Sequence, residues 1–145
     1  MSFCSFSLPV IPTKNDIYSY ISSHIPDCII FYNNNIILGT KKESLNEYIP
    51  DNCIIMLFPK PNHDNYNIST IYKYISNLYP NCQKKNIVCR LPNGSSKAII
   101  LPGNISVSLM VKLIMIILDL SVNYFLIYDG IPLNLNDNKE IINFF

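Results

Sequence analysis

The stretch "NYFLIYDGIPLNL", Asn123 to Leu135, decides the fold prediction. Its uninterrupted apolar run, Tyr124 to Tyr128, is typical of a buried strand. Asp129-Gly130 then supplies the positive φ angles that a two-residue hairpin turn requires. Leu133 and Leu135 punctuate the short polar segment that follows. We therefore expect a buried strand, a tight turn and a short closing segment.

A long apolar helix is expected before this strand, from Ser106 to Leu120. One apolar side consists of Val107, Met110, Val111, Ile114, Ile117 and Leu118, and a second consists of Leu109, Leu113, Ile116 and Leu120. Only a narrow stripe is polar, made of Ser108, Lys112 and Asp119. A helix this apolar is usually buried on two sides. We expect its own sheet on one side, and on the other either Ile71, Ile75 and Leu78 of a joining helix or a partner chain.

A β-hairpin is expected before that helix, in Asn86 to Leu101, because Pro92 to Ser95 separates two apolar runs. The predicted order is therefore hairpin, helix, strand, tight turn and short closing segment. This order indicates an α+β fold with a helix across one face of a mixed sheet.

The same residues resemble the ubiquitin-like β-grasp family over most of positions 86 to 145. Asn93-Gly94 falls at the family's first hairpin turn, and "FLIYDG", Phe125 to Gly130, matches the strand and turn after its helix. Ile141 and Phe144 lie where the family has a leucine and a tyrosine near its last helical turn. The resemblance implies a β-grasp unit in this half of the chain.

The first half resembles the same family from Cys28 to Pro61, after an expected helix at Asp16 to Ile25. The gapless pair "IYSYISSHIPDC", from Ile17, and "IYKYISNLYPNC", from Ile71, supports a duplication, although a biased composition can produce such a match by chance. We predict three segments. Residues 1–60 form a ubiquitin-like unit with a shortened N-terminal hairpin, residues 61–85 form a linker and joining helix, and residues 86–145 form a unit lacking its last strand.

The resemblance also implies where partners would dock. Family members usually bind through a small apolar patch on the outer sheet face, which here carries over to Ile30, Leu57 and Ile127. The second apolar side of the long helix adds Leu109, Leu113 and Ile116 as candidates. The alternative is that the other half of the chain covers the strand positions.

The C-terminal residues of this sequence lead to two expectations, one about conjugation and one about the last strand of the second unit. The chain ends "IINFF" and contains no Gly-Gly, so conjugation by the family's mechanism is not expected. The last strand of the second unit would begin where Phe145 stands. We expect Ser2 to Leu8, or a partner's strand added by β-augmentation, to take its place.

Composition excludes several classes of function. The 145 residues carry a net charge of +1 and no basic block longer than Lys-Lys, so nucleic acid is not an expected partner. The five cysteines are irregularly spaced, which favours reduced thiols in a reducing, most simply cytoplasmic, compartment. No metal or cofactor site is predicted.

The segment Val107 to Tyr128 is long enough to cross a bilayer, but Lys112 and Asp119 argue against a membrane span.

No enzyme is predicted either. The sequence has no phosphate-binding loop or nucleophile motif, and nothing brings His24 or His63 beside a thiol. Glu43 and Glu47 are expected to form a surface pair at most. The bias toward Ile and Asn is typical of an AT-rich genome, viral or organellar among others. We expect a non-catalytic intracellular protein-interaction module or adaptor. The alternative is a structural subunit of a large assembly, with its apolar helix buried against neighbours.

Overall fold

The computed structural model describes residues 12–60, 70–120 and 124–144. The first part contains helix α1 (Lys14–His24) and strands β1 (Cys28–Tyr32), β2 (Asn35–Ile37) and β3 (Met56–Pro59). Helix α2 (Thr70–Leu78) and strands β4 (Lys84–Arg90) and β5 (Ser96–Pro102) follow. The remainder contains α3 (Val107–Ile117), β6 (Ile127–Tyr128), β7 (Ile131–Pro132) and α4 (Ile141–Phe144). The fold is α+β, as expected.

The described strands form three small antiparallel sheets. β1 lies between β2 and β3 in the first sheet, β4 pairs with β5 in the second, and β6 pairs with β7 in the third. Among the described strands no parallel pair occurs, so the single mixed sheet expected from the sequence is not seen there. The Ser2 to Leu8 segment, expected to supply a strand, lies outside the described residues.

Local chemistry explains where the elements begin and turn. Thr13 caps α1, since its hydroxyl accepts from Asp16 N (3.2 Å) while the Asp16 carboxylate accepts from Thr13 N (2.8 Å). Asn33 and Asn34 join β1 to β2 with φ angles of 52° and 60°. This backbone conformation matches the twist of the paired strands in a two-residue hairpin, and Asn tolerates it better than most residues.

The long helix begins one residue later than expected. Ser106 is its N-cap, with the hydroxyl accepting from Leu109 N at 3.0 Å, and the helix ends at Ile117. None of the described helices has the length and apolar character that crossing a membrane requires.

The first sheet is buried on both faces. Ile30, Ile37 and Ile49 pack with Ile17 and Ile21 of α1 in one buried cluster. The alternate residues of the same strands join a larger cluster with α2, β5 and α3; they are Ile29, Phe31, Ile36 and Phe58. Because successive side chains of a strand point to opposite faces, this sheet separates α1 from the second half of the chain.

The larger cluster unites the two halves. Ile71 and Ile75 of α2 are fully buried in it, as are Leu101 of β5 and Leu113 of α3. α2 packs against β3 and β5, whereas α3 packs against β2 and α4. The second side of α3 is therefore covered by the first half's sheet, with α2 in the same core. Leu78, expected to share this role, is 39% exposed.

The segment before the Asp129-Gly130 turn differs from the expectation. The turn itself forms as predicted, with φ angles of 52° and 78°. The strand covers only Ile127 and Tyr128, and Phe125 and Ile127 are each 64% exposed. The expectation of a buried strand from Tyr124 to Tyr128 is therefore wrong, because a short apolar run has the same pattern whether or not anything covers it.

Candidate functional site

Half of the exposed large apolar side chains of the described residues lie at or just before the β6–β7 hairpin. Five large apolar side chains there are 44–65% exposed: Tyr124, Phe125, Ile127, Tyr128 and Ile131. Val88 of β4 (57% exposed) belongs to the same region, since it shares a groove with Tyr124 and with residues 125 to 128. Contiguous exposed apolar residues on a folded chain commonly mark an interaction site.

This groove runs between strand β4 and the segment 124–129, and we call it the β4–β6 groove. Its volume is about 710 Å³. Ile87, Met110, Ile114 and Leu133 provide apolar lining that is wholly or partly buried. Arg90 and Asp129 are the charged residues of the lining. An apolar groove with few charges, bordered by exposed apolar side chains, offers a contact surface for apolar side chains of another protein.

Elements from both sides position the groove. The β4–β5 hairpin is held to α2 by the Tyr72 hydroxyl, which donates to Ile100 O. On the opposite side, Leu133 N donates to Leu126 O at 2.7 Å, which extends the β6–β7 pairing by one residue. The Tyr128 ring packs on Phe144 of α4, with centroids 5.8 Å apart. Lys42 of the first half lies 3.8 Å above the centre of the Phe125 ring.

The thiol of Cys89 lies in the groove, so its rate of alkylation can report whether the groove is occupied. The side chain is half-buried and lines the groove. Burial raises the pKa of the Cys89 thiol, because a thiolate is poorly solvated there. None of the four described cysteines, which are Cys28, Cys53, Cys82 and Cys89, takes part in a disulfide bond. Cys4 lies outside the described residues.

The six residues predicted to bind a partner separate into buried and exposed groups. Ile30 is 2% exposed beneath α1, so the expectation that it lies on an open outer face is wrong. Leu57 faces Ile30 across the β1–β3 pairing and packs against the same cluster. Since the opposite face is covered by α2 and α3, the first sheet has no open face at these positions.

The helix candidates are also mostly interior. Leu109 and Leu113 are 2% and 0% exposed. The second apolar side of α3 was expected to need a cover, which suggested a subunit buried against neighbours. At Leu109 and Leu113 this chain itself supplies the cover. Ile116 is half-buried beside a cleft of about 550 Å³ between α1, β1 and the end of α3. Ile127 is exposed and lines the β4–β6 groove, so among the six it alone is part of this surface.

A buried polar cluster lies on the other side of α3. The Lys112 ammonium contacts the Glu43 carboxylate and donates to Ile36 O at 2.7 Å. Glu43 also accepts from the backbone N–H groups of Leu38 (2.7 Å) and Gly39 (3.1 Å). Both charged side chains are at most 3% exposed. The expectation that Glu43 lies at the surface is wrong, because the chain turns it inward toward α3.

Further polar contacts extend this cluster. Ser108 donates to Leu135 O and accepts from Asn35 Nδ2 at 2.9 Å. Asn136 accepts from Ser44 N (3.2 Å) and donates to Lys42 O (3.1 Å). Burial lowers the pKa of Lys112, and the charge of Glu43 opposes this lowering. Because Ser108, Lys112 and Asn136 of the second half each contact the first half, we interpret the cluster as a structural connection between the two.

Of the two histidines considered for catalysis, the structure describes His24. His24 lies exposed on α1, where its ring stacks on Tyr20 with centroids 4.1 Å apart. His63 lies outside the described residues. Within the described ranges no three His, Cys, Asp or Glu side chains form a group that could hold a metal ion.

Comparison with known proteins gives no assignment. No protein-family model, no curated protein and no solved structure matches this chain.

Proposed function

We propose that this protein is a non-catalytic protein-interaction module, and that the β4–β6 groove with the β6–β7 hairpin is its binding surface. The observation that carries the proposal is the exposure of Phe125, Ile127 and Ile131, each 64–65%, beside an apolar groove. Complete burial of such a side chain stabilises by about 1.5–3 kcal/mol, and roughly two thirds of that is left for a partner to gain at each of these positions.

The structural class that the proposal implies is a β-grasp unit in the second half of the chain. The order β4, β5, α3, β6, β7 and α4 supports this assignment.

Affinity capture with matched variants tests the proposed function. The wild-type chain, Ile127→Asp and Ile54→Asp are each immobilised and exposed to extract of the native source. Ile54 is a matched control because it is 74% exposed and does not line the groove. A genuine partner is retained by the wild type and Ile54→Asp and lost with Ile127→Asp.

The captured protein is then purified and its affinity for the three chains is measured directly. A dissociation constant at least about tenfold weaker for Ile127→Asp alone would confirm the surface, since a charged side chain must lose its water to enter an apolar contact. Equal affinity for all three chains would show that the partner binds elsewhere.

A further inference from the structure

Strand β4 has an edge that none of the described strands uses. Leu91 N donates to Ser95 O (2.9 Å) and Gly103 N donates to Gln83 O (2.8 Å), which sets the hydrogen-bonded pairs between β4 and β5. In an antiparallel pair such bonded positions alternate along the strand. The backbone groups of Cys89 and the other odd-numbered residues therefore point to β5. Those of Asn86, Val88 and Arg90 point the opposite way.

The opposite wall of the groove has a second edge of the same kind. Leu133 N donates to Leu126 O, and Tyr128 is paired with Ile131 across the two-residue turn. By the same alternation, the backbone groups of Phe125 and Ile127 point away from β7. Both edges line the β4–β6 groove.

An exposed strand edge is a template for a further strand. The two-stranded β4–β5 sheet is also small enough that an added strand would stabilise it. A segment lying along β4 would place alternate side chains on Met110 and Ile114, which line the groove below. The remaining side chains would lie beside Val88 and Ile127 at the exposed rim.

The charge of the hairpin indicates what those remaining side chains are. Residues 84–102 contain Lys84, Lys85, Arg90 and Lys97 and no Asp or Glu. Arg90 is part of the groove lining, and Asp129 lies on the opposite wall. On the side that faces β4 such a segment therefore meets positive charge, and acidic residues complement it. The apolar groove lining, which includes Met110 and Ile114, favours a protein over a nucleic acid, whose charged backbone has no apolar side chains to fill it.

We propose that the β4–β6 groove binds an extended segment of a partner protein as an added strand on β4, and that this segment alternates apolar with acidic residues. The inference rests on the proposed function and specifies the partner's chemistry. Backbone hydrogen bonds to Asn86, Val88 and Arg90 provide the register, and the apolar residues of the partner fill the groove.

Blocked peptides as long as β4, which has 7 residues, are the probes. One set alternates valine or isoleucine with glutamate, and a second set has lysine in place of every glutamate. A third set repeats the first with N-methyl groups that remove the backbone donors on one edge at a time. Binding to the full chain is measured by calorimetry and by the rate at which iodoacetamide alkylates Cys89. Cys53 is the internal reference, because it does not line the groove.

The acidic set should bind and slow the alkylation of Cys89 while leaving that of Cys53 unchanged. The lysine set should bind at least about tenfold more weakly, because like charges now face each other. Methylation of the edge that faces β4 should abolish binding, and methylation of the opposite edge should weaken it less. Val88→Asp should weaken binding of the acidic set, whereas the Ile54→Asp control should not.

Other results would overturn the inference in recognisable ways. Equal binding of all three sets would show apolar contact without strand addition, and the proposed function would stand. Faster alkylation of Cys89 after removal of residues 1–11 would show that the chain's own N-terminal segment fills the groove. Protection of Cys89 that rises with protein concentration would assign the groove to a second copy. If a partner captured as above leaves Cys89 unprotected, the groove is not its site.

Discussion

The Lys112 ammonium on α3 contacts the Glu43 carboxylate, which lies 69 positions earlier in the chain, and both side chains are buried. A buried ion pair gains little over a well-packed apolar pair, because both charges must first leave water. Removing one partner is costly, since the remaining charge stays buried without compensation. This pair therefore makes the fold sensitive to single substitutions in either half.

Lys112→Met should lower the free energy of unfolding by about 3–5 kcal/mol, because it leaves the Glu43 carboxylate buried and unpaired. Adding Glu43→Gln should restore most of this loss, since a neutral amide oxygen can still accept from Leu38 N and Gly39 N. Urea unfolding of the two single variants and the double variant measures the coupling. Additive losses would show that the two side chains do not act as a pair.

Ile30→Asp and Ile127→Asp should behave in opposite ways. The first places a charge beneath α1, where the native side chain is 2% exposed, and should unfold the chain. The second changes a side chain that is 64% exposed and should alter the free energy of unfolding by no more than about 0.5 kcal/mol. Thermal melts followed by circular dichroism compare them. A cooperative wild-type-like melt for Ile30→Asp would contradict the packing of α1 on β1.

Gly39→Ala should destabilise the fold more than Gly94→Ala. Both glycines have positive φ angles, +72° and +87°, so both substitutions carry a backbone penalty of roughly 1–2 kcal/mol. A Cβ at Gly39 would also lie 2.2 Å from Cε1 of Tyr18, whereas Gly94 has open space around it. Urea unfolding of both variants measures the difference. In a Tyr18→Ala background, which lacks the ring, Gly39→Ala and Gly94→Ala should lower the free energy of unfolding by similar amounts. If Gly39→Ala remained more costly there, the Tyr18 ring would not be the cause of the difference.

The Lys14–Glu47 ion pair, with Nζ and Oε2 2.7 Å apart, should make a small pH-dependent contribution. The hydrogen bond from Lys14 lowers the pKa of Glu47 below its ordinary value of 4.5. A carboxylate with a lowered pKa stabilises the fold above pH 4.5, and this contribution disappears as the pH falls through the lowered value. Glu47 is 56% exposed, so Glu47→Gln should cost only about 0.5 kcal/mol at pH 7 and nothing in strong acid. Urea unfolding at several pH values, with Lys14→Met for comparison, checks this profile, and a constant difference between wild type and variant would contradict it.

The thiols should all be reduced. Alkylation after unfolding without reductant should add five labels, one for each cysteine in the sequence, and intact mass shows the number. In the folded chain Cys89 should react more slowly than after unfolding, because burial raises its pKa and lowers the thiolate fraction. This difference should shrink as the pH is raised. A mass with fewer than five labels would reveal a stable bridge.

Local features of the fold were predictable from the sequence. Asp129-Gly130 and Asn33-Asn34 form hairpin turns because these residues tolerate positive φ angles. This tolerance is a property of the residues themselves and needs no knowledge of distant contacts. α3 was predictable because its apolar residues and the Ser106 cap lie within one short stretch. The β4–β5 hairpin was predictable for the same reason.

Features that depend on distant residues were not predictable. Alternation assigns Ile29 and Ile30 to opposite faces of β1, but it does not say which face is covered, and here both are. The sequence shows Ser108 and Lys112 as a polar stripe, yet their partners Asn35 and Glu43 lie 73 and 69 positions away in the chain. The β4–β6 groove required the positions of two strands that do not pair with each other.

The burial of both faces of the first sheet has a consequence for biosynthesis. A growing polypeptide completes β3 well before α3 is translated, since the two elements end at Pro59 and Ile117. Until then Phe31, Ile36 and Phe58 have no cover from the second half, although α1 can already protect the opposite face. The nascent chain therefore passes through an interval in which this aliphatic and aromatic face of the sheet is exposed to solvent and prone to aggregation. Chaperones that bind exposed apolar segments are expected to act on the nascent chain during that interval.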